Sequence, residues 1–257
     1  MESKTLRNVS ICSTLRLWAS IHSTRPRLIV LTCLLLSAIA LVRAAVIEPP
    51  KPAIAQMALT NNVPQWMIVR AFMRTVFVAE GTWYEGTKRN PYRTEVFTYN
   101  QIGDYSDHPH NNPNSRLPCA YIGSEWTCSA ATGAAQWMPD TWNRVRALKR
   151  FWFDGKAFSP ENQDMAMLYE LERVGSLRSL FSGMSLKNGV PSVNRRNFDV
   201  AMSQAAPVWA SLPRFRGDDS GAYGQGTRSS EKLWGVFQTE LAKEQQQWKS
   251  ASAKTGQ

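Results

Sequence analysis

An apolar stripe recurs at helical spacing early in the chain, just before a Glu-Gly pair. Its members, which fall on one face of a helix, are Val69, Phe72, Met73, Val76 and Phe77. Asn62 is a suitable N-cap, and Pro64 fits the first turn, where a missing N–H costs little. Gly81 is a natural stop. The pattern therefore predicts a helix between Asn62 and Gly81 that packs one face into a core.

Glu80 ends this predicted helix and projects from its apolar face, four residues after Val76 and three after Phe77. Burial disfavours an ionised carboxylate, and so does the negative end of the helix dipole, so both effects raise the pKa. A carboxylic acid that keeps its proton near neutral pH is suited to protonating the leaving oxygen of a glycosidic bond. The alternative interpretation is a solvated residue at a helix end.

Four further helices are indicated by start signals and apolar spacing. One opens at Pro139, and its Trp142 is expected in the core together with Trp137. Ser159 and Pro160 form a cap and first turn that open the next helix. The last two helices are predicted over about residues 194–210 and 229–248.

Residues 83–128 differ from the rest because they are rich in Asn, Pro, Gly, Thr and Tyr and show little helical periodicity. They predict loops with a small β-element, and residues 95–99 have the composition of one short strand. No internal repeat is evident. The pattern as a whole predicts one mainly α (α+β) domain with a small β-lobe.

The N-terminal residues have the pattern of an export signal. Residues 28–42 form an uncharged apolar run that follows several basic residues, and Val42-Arg43-Ala44 offers small or aliphatic residues where a signal peptidase cleaves. The run is short for a bilayer crossing, and the leader before it is long for a cleaved signal. Residues 1–44 are therefore either a signal peptide or an N-terminal membrane anchor. In both cases the remainder is placed outside the cytoplasm, in the periplasm or cell envelope.

The predicted domain boundaries follow from composition. Residues 45–62 are a Pro-rich linker, residues 63–250 are the folded domain, and residues 251–257 are a tail. The domain is long enough for a sizeable core, and we expect a monomer.

The net charge of the chain is only weak evidence about the class of molecule that it binds. The chain has 257 residues and a formal net charge of +10, of which the leader supplies six basic residues and one acidic residue, so the exported part carries +5. This charge suits an anionic polymer such as a cell wall, or it merely aids solubility. Nothing in the exported part resembles a nucleic-acid-binding motif.

Cys119 and Cys128 are the only cysteines beyond the leader. In an oxidising compartment an isolated pair nine positions apart predicts a small-loop disulfide, with two free thiols as the alternative. Neither this pair nor His108 and His110 has a third ligand nearby, so we expect no metal site.

Two later polar elements complete the candidate site. Gln136 lies in the turn Gly133-Ala-Ala-Gln136, and its amide both donates and accepts, as the N-acetyl group of a sugar requires; a loop-satisfying amide is the alternative. Tyr223 and Gln225 stand in Tyr223-Gly-Gln225, where the Tyr ring offers a face to a sugar or packs in the core. These elements suggest the floor and wall of a groove for an extended polar ligand.

Taken together, the motifs of the chain resemble those of the phage lambda lysozyme family, which are lytic transglycosylases with a lysozyme-like fold. The resemblance covers about residues 65–245, and the motifs occur in the family's order. They are Ala79-Glu80-Gly81-Thr82, Asp104-Tyr105-Ser106-Asp107-His108-Pro109, Thr132-Gly133-Ala134-Ala135-Gln136, Phe158-Ser159-Pro160 with Gln163-Asp164, Trp209-Ala210-Ser211-Leu212-Pro213, and Tyr223-Gly224-Gln225. The chain departs from the family at Ala134 and Ala135, where a Gly-Arg pair is usual, and in its leader and cysteine pair.

The resemblance implies a lysozyme-like helical domain whose small β-lobe flanks an active-site groove. It implies that Glu80 acts as acid and then as base on a peptidoglycan glycan strand, leaving 1,6-anhydro-muramoyl ends without a cofactor. Substrate-binding roles are implied for Tyr105, Asp107, Gln136, Tyr223 and Gln225, although Asp107 also suits a loop-capping role.

Two alternative functions remain at this point. A hydrolytic muramidase would use water and a second carboxylate, Asp104 or Asp107. A non-catalytic peptidoglycan-binding module would keep the groove without turnover, yet a pure binder gains nothing from a half-buried acid.

Overall fold

The computed structural model describes residues 63–83, 89–98, 100–148, 157–218, 221 and 227–255. All of the described residues belong to one compact unit. The predicted leader and linker lie outside the described residues. Among the helices that are described, none is long and apolar enough to cross a membrane.

The described residues form a mainly helical fold with two small antiparallel sheets, which confirms the predicted fold class. The helices are α1 (Val63–Ala79), α2 (Pro139–Leu148), α3 (Pro160–Arg173), α4 (Ser176–Ser182), α5 (Arg195–Ala205) and α6 (Ser230–Thr255). The strands are β1 (Cys119–Ile122), β2 (Glu125–Cys128), β3 (Met184–Lys187) and β4 (Val190–Val193).

Helix α1 is the centre of the core. Ile68, Phe72 and Val76 are inaccessible to solvent, and the helix packs along α6 and against β4 and α4. Aromatic rings join it to the later helices: Phe72 contacts Phe198 of α5 edge-on, and Phe198 contacts Phe237 of α6. The predicted apolar stripe is thus the face that the rest of the domain covers.

The first hairpin lies where the β-element was predicted. Strands β1 and β2 pair from Cys119 opposite Cys128 to Ile122 opposite Glu125. A disulfide joins Cys119 and Cys128, as predicted from the isolated pair. The bond closes the open end of a hairpin that makes up one edge of the β-lobe.

The sequence reasoning missed the hairpin of β3 and β4, together with the short helix α4. The turn between the strands is Asn188-Gly189, and both residues have positive φ, 53° and 75°. An Asn-Gly pair between two short apolar runs is a strong hairpin signal, since both residues tolerate this conformation. The signal for this hairpin is therefore present in the sequence.

Three predicted boundaries need correction. Residues 95–98 form no strand, because within this segment Glu95 alone makes an isolated bridge and Phe97 turns back with φ of 61°. Tyr99 lies outside the described residues. Helix α5 ends at Ala205 rather than near residue 210, since Pro207 cannot continue it. Helix α6 continues to Thr255, past the predicted end near residue 248.

Candidate active site

Glu80 is held at the C-terminal cap of α1 by a glycine-terminated turn. The Thr82 N–H donates to the Phe77 carbonyl at 2.9 Å, and the Gly81 N–H donates to the Val78 carbonyl at 3.1 Å. Gly81 has φ of 75°, a conformation that glycine adopts without cost. These two bonds satisfy carbonyls that the helix end leaves open. The local sequence therefore fixes the direction in which Glu80 leaves the helix.

The carboxyl group of Glu80 is poorly solvated. Burial raises its pKa to about 7, and hydrogen bonds from the Ser211 side chain and backbone oppose this rise. The Ser211 hydroxyl donates to Oε1 at 2.5 Å. The predicted direction of the pKa shift is confirmed. Near neutral pH a large share of the molecules therefore carries the protonated acid.

The turn that bears Gln136 is built on a two-residue bridge. Thr132 and Trp137 exchange backbone hydrogen bonds at 3.0 and 2.7 Å. Gly133 has φ of 82°, and Gln136 itself has φ of 48°. The buried amide of Gln163 anchors this turn, because its Oε1 accepts from the Ala134 N–H at 3.0 Å. A side chain of α3 thus fixes the position of this turn.

Gln136 is engaged on its donor side. Its amide nitrogen donates to the carbonyls of Thr94 and Gly133 at 3.2 and 3.0 Å. Its amide oxygen accepts no hydrogen bond from the described residues. The loop-satisfying role and a place on the groove therefore coexist in one side chain.

Two further bonds connect the turn to the helix end and to the Ser211 segment. The Thr82 hydroxyl donates to the Ala134 carbonyl at 2.6 Å. The indole N–H of Trp209 donates to the Ala135 carbonyl at 3.1 Å. Trp209 is buried against Trp137, which sits in the core as predicted. Glu80, Gln136 and Ser211 are in this way held by one connected network.

A groove of about 550 Å³ opens at this network and is lined by both Glu80 and Gln136. One wall is the β1–β2 hairpin, which contributes Ile122, Thr127 and Cys128. The remaining walls come from the segments around Ala131, from α2 and α3, and from residues 207–210. The groove thus lies between the β-lobe and the helical body.

A second carboxylate in the groove was not predicted. Glu170 of α3 lines it with no side-chain exposure, and Arg144 and Arg173 bind its two oxygens, Oε1 and Oε2, each at 2.9 Å. Arg144 comes from α2, so the ion cluster joins the two helices. The spacing of Glu170 and Arg173 signals a helical pair, but nothing local places Arg144 beside them.

Asp104, Tyr105 and Asp107 do not line this groove. Asp104 and Asp107 line a separate cavity of about 480 Å³. Asp107 accepts hydrogen bonds from the His108 N–H at 2.7 Å and from the Asn111 amide at 2.9 Å, as a loop cap does. The Tyr105 ring lies under the Arg93 guanidinium, and its hydroxyl accepts from Asn90. Tyr105 and Asp107, which were predicted to bind substrate, and Asp104, a candidate second carboxylate of a hydrolase, thus lie outside the groove that holds Glu80. The substrate-binding roles of Tyr105 and Asp107 remain predictions.

The histidines are structural in their contacts. His108 is buried, its ring is within 2.8 Å of the Trp137 carbonyl, and burial lowers its pKa to about 4. Within the described residues no group of three or more His, Cys, Asp or Glu side chains is arranged to hold a metal ion. Tyr223 and Gln225 lie outside the described residues, so their predicted roles remain predictions.

The chain is similar to a known protein family and to solved structures. A family model described as endolysin matches residues 70–244. The structure of bacteriophage lambda lysozyme complexed with a chitohexasaccharide is 23% identical with a TM-score of 0.50, covering 68% of this chain and 94% of that chain. A second structure, the lysozyme from bacteriophage lambda, is 22% identical with a TM-score of 0.44, covering 70% of this chain and 93% of that one. No curated protein matches the chain. The first structural likeness establishes a common fold.

Proposed function

Because the chain belongs to the endolysin family, we propose that it is a lytic transglycosylase acting on peptidoglycan with Glu80 as its catalytic acid. The family and the fold establish a lysozyme-like, peptidoglycan-degrading enzyme. The finer proposal is that the β-1,4 bond between N-acetylmuramic acid and N-acetylglucosamine is cleaved without water. The observation that carries the assignment of the catalytic acid is the raised pKa of Glu80, which lines a groove of about 550 Å³.

In the first step Glu80 donates its proton to the glycosidic oxygen while the bond from that oxygen to C1 of the muramoyl residue breaks. With a pKa of about 7, the carboxyl group is protonated in a large share of molecules at neutral pH. The positive charge that develops at C1 lies next to the carboxylate that is left behind. Ser211 stabilises that carboxylate through the hydrogen bond to Oε1.

In the second step the C6 hydroxyl of the same muramoyl residue attacks C1 and closes the 1,6-anhydro ring. Its proton passes to the Glu80 carboxylate, which restores the acid for the next turnover. One carboxyl group therefore serves both steps, and the reaction consumes no water.

The environment of the other carboxylates supports this proposal over hydrolysis. A hydrolase with a second catalytic carboxylate needs that group free in the same groove. Asp104 and Asp107 line a different cavity. Glu170 lines the groove, but both of its oxygens are engaged by arginines. Among the described residues Glu80 is thus the groove carboxylate that no cation pairs.

Product analysis tests the proposal. Purified glycan strands or sacculi are digested, and the muramoyl ends are examined by mass spectrometry. We expect 1,6-anhydro ends, which are one water lighter than reducing ends. Reducing ends as the main product would favour the hydrolytic muramidase, and intact strands would favour a binding module. The same digestion with Glu80→Gln shows whether the observed cleavage depends on Glu80.

We also propose that the enzyme reaches its substrate by export. The support is the basic and apolar pattern of residues 1–44, with residues 45–62 as a linker to the domain at 63–250. Cell fractionation and N-terminal sequencing of the mature protein test this. A protein starting near residue 45 indicates a cleaved signal peptide, and an intact N-terminus in the membrane fraction indicates an anchor. Recovery only in the cytoplasm would contradict export.

A further inference from the structure

Two arginines line the groove that holds Glu80, and one carboxylate is shared between them. Arg144 binds Oε1 of Glu170 at 2.9 Å, and Arg173 binds Oε2 through its Nε at 2.9 Å. Glu170 has no exposed side-chain surface, whereas each arginine is 44% exposed. The cluster therefore keeps its anion inside and presents its cations to the groove.

The cluster carries more positive charge than the pairing of Glu170 requires. Two guanidinium groups face one carboxylate, so a net positive charge remains on the groove wall. Glu170 uses only part of the N–H donors that each guanidinium group carries. The free donors lie in fixed planes, since Glu170 holds both side chains in place, and a fixed planar fork suits a second carboxylate.

Stability alone gives a weak account of this arrangement. A buried carboxylate is expensive to desolvate, and an apolar contact of the same volume often stabilises a helix pair as well. Exposed ion pairs contribute little. Because the cluster lies on the wall of the groove that holds Glu80, it is better explained by what it offers to a ligand there.

We propose that Arg144 and Arg173 bind a free carboxylate of the peptide stem that branches from the muramoyl residue. This inference rests on the proposed function, because it names which part of peptidoglycan the same groove recognises. The N-acetylated sugar backbone is uncharged, so it offers no partner for a cation pair. The stem peptide carries carboxylates, and Glu170 acts as the positioning residue that holds the two arginines apart and oriented.

The consequence is a preference for glycan strands that carry acidic stems. Partly exposed charge pairs contribute modestly, so we expect kcat/KM to be about three- to tenfold higher for carboxylate-bearing stems than for the same stems amidated. The preference should weaken at high salt, because the pairs are within reach of solvent ions.

The test compares two preparations of one substrate. Sacculi are used as isolated or after their free carboxylates have been converted to amides with ammonia and a carbodiimide. We measure kcat/KM of the native-sequence enzyme on both. A ratio of three or more supports the inference, and equal values overturn it. Cleavage of neither preparation would overturn the proposed function itself, and this outcome is distinguishable from equal cleavage of both.

Variants assign the preference to the cluster. Arg173→Gln removes one cation, and the triple variant Arg144→Gln, Glu170→Gln, Arg173→Gln replaces the ions with amides so that no buried charge lacks a partner. We expect the ratio to fall towards one in both variants, with thermal unfolding recorded to confirm folding. Arg178→Gln is the matched control, since Arg178 is exposed on α4 and does not line the groove. A ratio that persists in the folded triple variant would overturn the assignment.

Discussion

At the scale of single residues, Glu80 combines two opposing influences on one proton. Burial raises its pKa to about 7, and the Ser211 hydrogen bonds hold it from rising further. An acid that must first give and then take a proton works best with a pKa near the operating pH. The pKa of Glu80 is therefore set by burial and hydrogen bonding rather than by a charged neighbour.

The substitution Glu80→Gln tests this role directly. The amide is nearly isosteric but cannot deliver a proton, so we expect kcat to fall by about 10²–10⁴-fold with glycan binding retained. Turnover is measured on sacculi, and binding by pull-down with insoluble peptidoglycan. Activity close to that of the unsubstituted enzyme would mean that another residue is the acid.

The same substitution has a pH-dependent effect on stability. The folded state holds the Glu80 proton more tightly than the unfolded state, so the native protein loses stability as pH rises from about 4.5 through about 7. With the pKa raised from 4.5 to about 7, the loss is at most about 3.5 kcal/mol, since one pKa unit corresponds to about 1.4 kcal/mol. In chemical denaturation, the free energy of unfolding of Glu80→Gln should exceed that of the unsubstituted protein above pH 7. The two free energies should be equal near pH 4.

Ser211→Ala should move the pH profile of the enzyme. The hydroxyl favours the ionised form of Glu80, so its removal raises the pKa of the acid further. Because the free enzyme must be protonated to start the reaction, the alkaline limb of kcat/KM should shift to higher pH. Ser203→Ala is the control, since Ser203 lies on α5 away from the groove. An unchanged alkaline limb would show that Ser211 does not tune Glu80.

Whether a site residue can be predicted from the sequence depends on how far along the chain its interaction partners lie. Glu80 could be predicted because its helix, its apolar face and its terminating glycine are all local. Ser211 lies 131 residues from Glu80, and Arg144 lies 26 residues from Glu170. No periodicity reports such pairings, because only the packing of separate segments creates them.

At the scale of elements, the turn around Gly133 packs tightly against Gln163 and Phe158. A Cβ at Gly133 would lie 2.2 Å from Oε1 of Gln163 and 2.9 Å from the Phe158 ring. Backbone φ of 82° adds strain for any other residue. The motif that bears Gln136 is thus specified by a glycine on one element and a buried amide on another.

Gly133→Ala should therefore destabilise the domain and disturb the groove. We expect a loss of about 2–4 kcal/mol from strain and overpacking. Gly123→Ala is a matched control, because Gly123 also has positive φ, 62°, but a Cβ there meets nothing within 4 Å. Thermal or urea unfolding of both variants separates backbone strain from the steric clash. Equal losses would show that the contact with Gln163 is unimportant.

The elements also show where pattern reading succeeds and fails. The helix starting at Pro160 was predicted from its cap, and Ser159 does accept a hydrogen bond from the Asn162 N–H. The predicted strand over residues 95–99 was wrong, because the left-handed conformation of Phe97 breaks the extended run. Phe97 lies at the centre of a tight turn in which the Thr98 N–H donates to the Val96 carbonyl at 2.6 Å, and composition does not signal such a turn at a non-glycine residue.

At the scale of the whole molecule, helix α6 packs along α1, the helix at the centre of the core. Arg74 of α1 pairs with Glu244 of α6 at 2.6 Å and with Glu240 at 3.4 Å, and both carboxylates have little exposed surface. Arg70 and Lys243 add weaker or more exposed pairs. This cluster locks the two ends of the folded domain together, along the helix that carries Glu80 at its end.

Removing the central cation should weaken the fold without altering the chemistry. In Arg74→Met two buried carboxylates lose their main partner, so we expect a loss of about 1–3 kcal/mol, reduced from the full cost of a broken buried pair by the remaining cations. Adding Glu240→Gln and Glu244→Gln removes the unpaired charges and should restore most of the stability. Arg178→Met, at an exposed site on α4, provides the control. Since Arg74 does not line the groove, kcat/KM measured well below the unfolding temperature should remain within about twofold, as for sites that act independently. A drop in kcat/KM as large as that of Glu80→Gln would show that the position of α1 against α6 also sets the position of the acid.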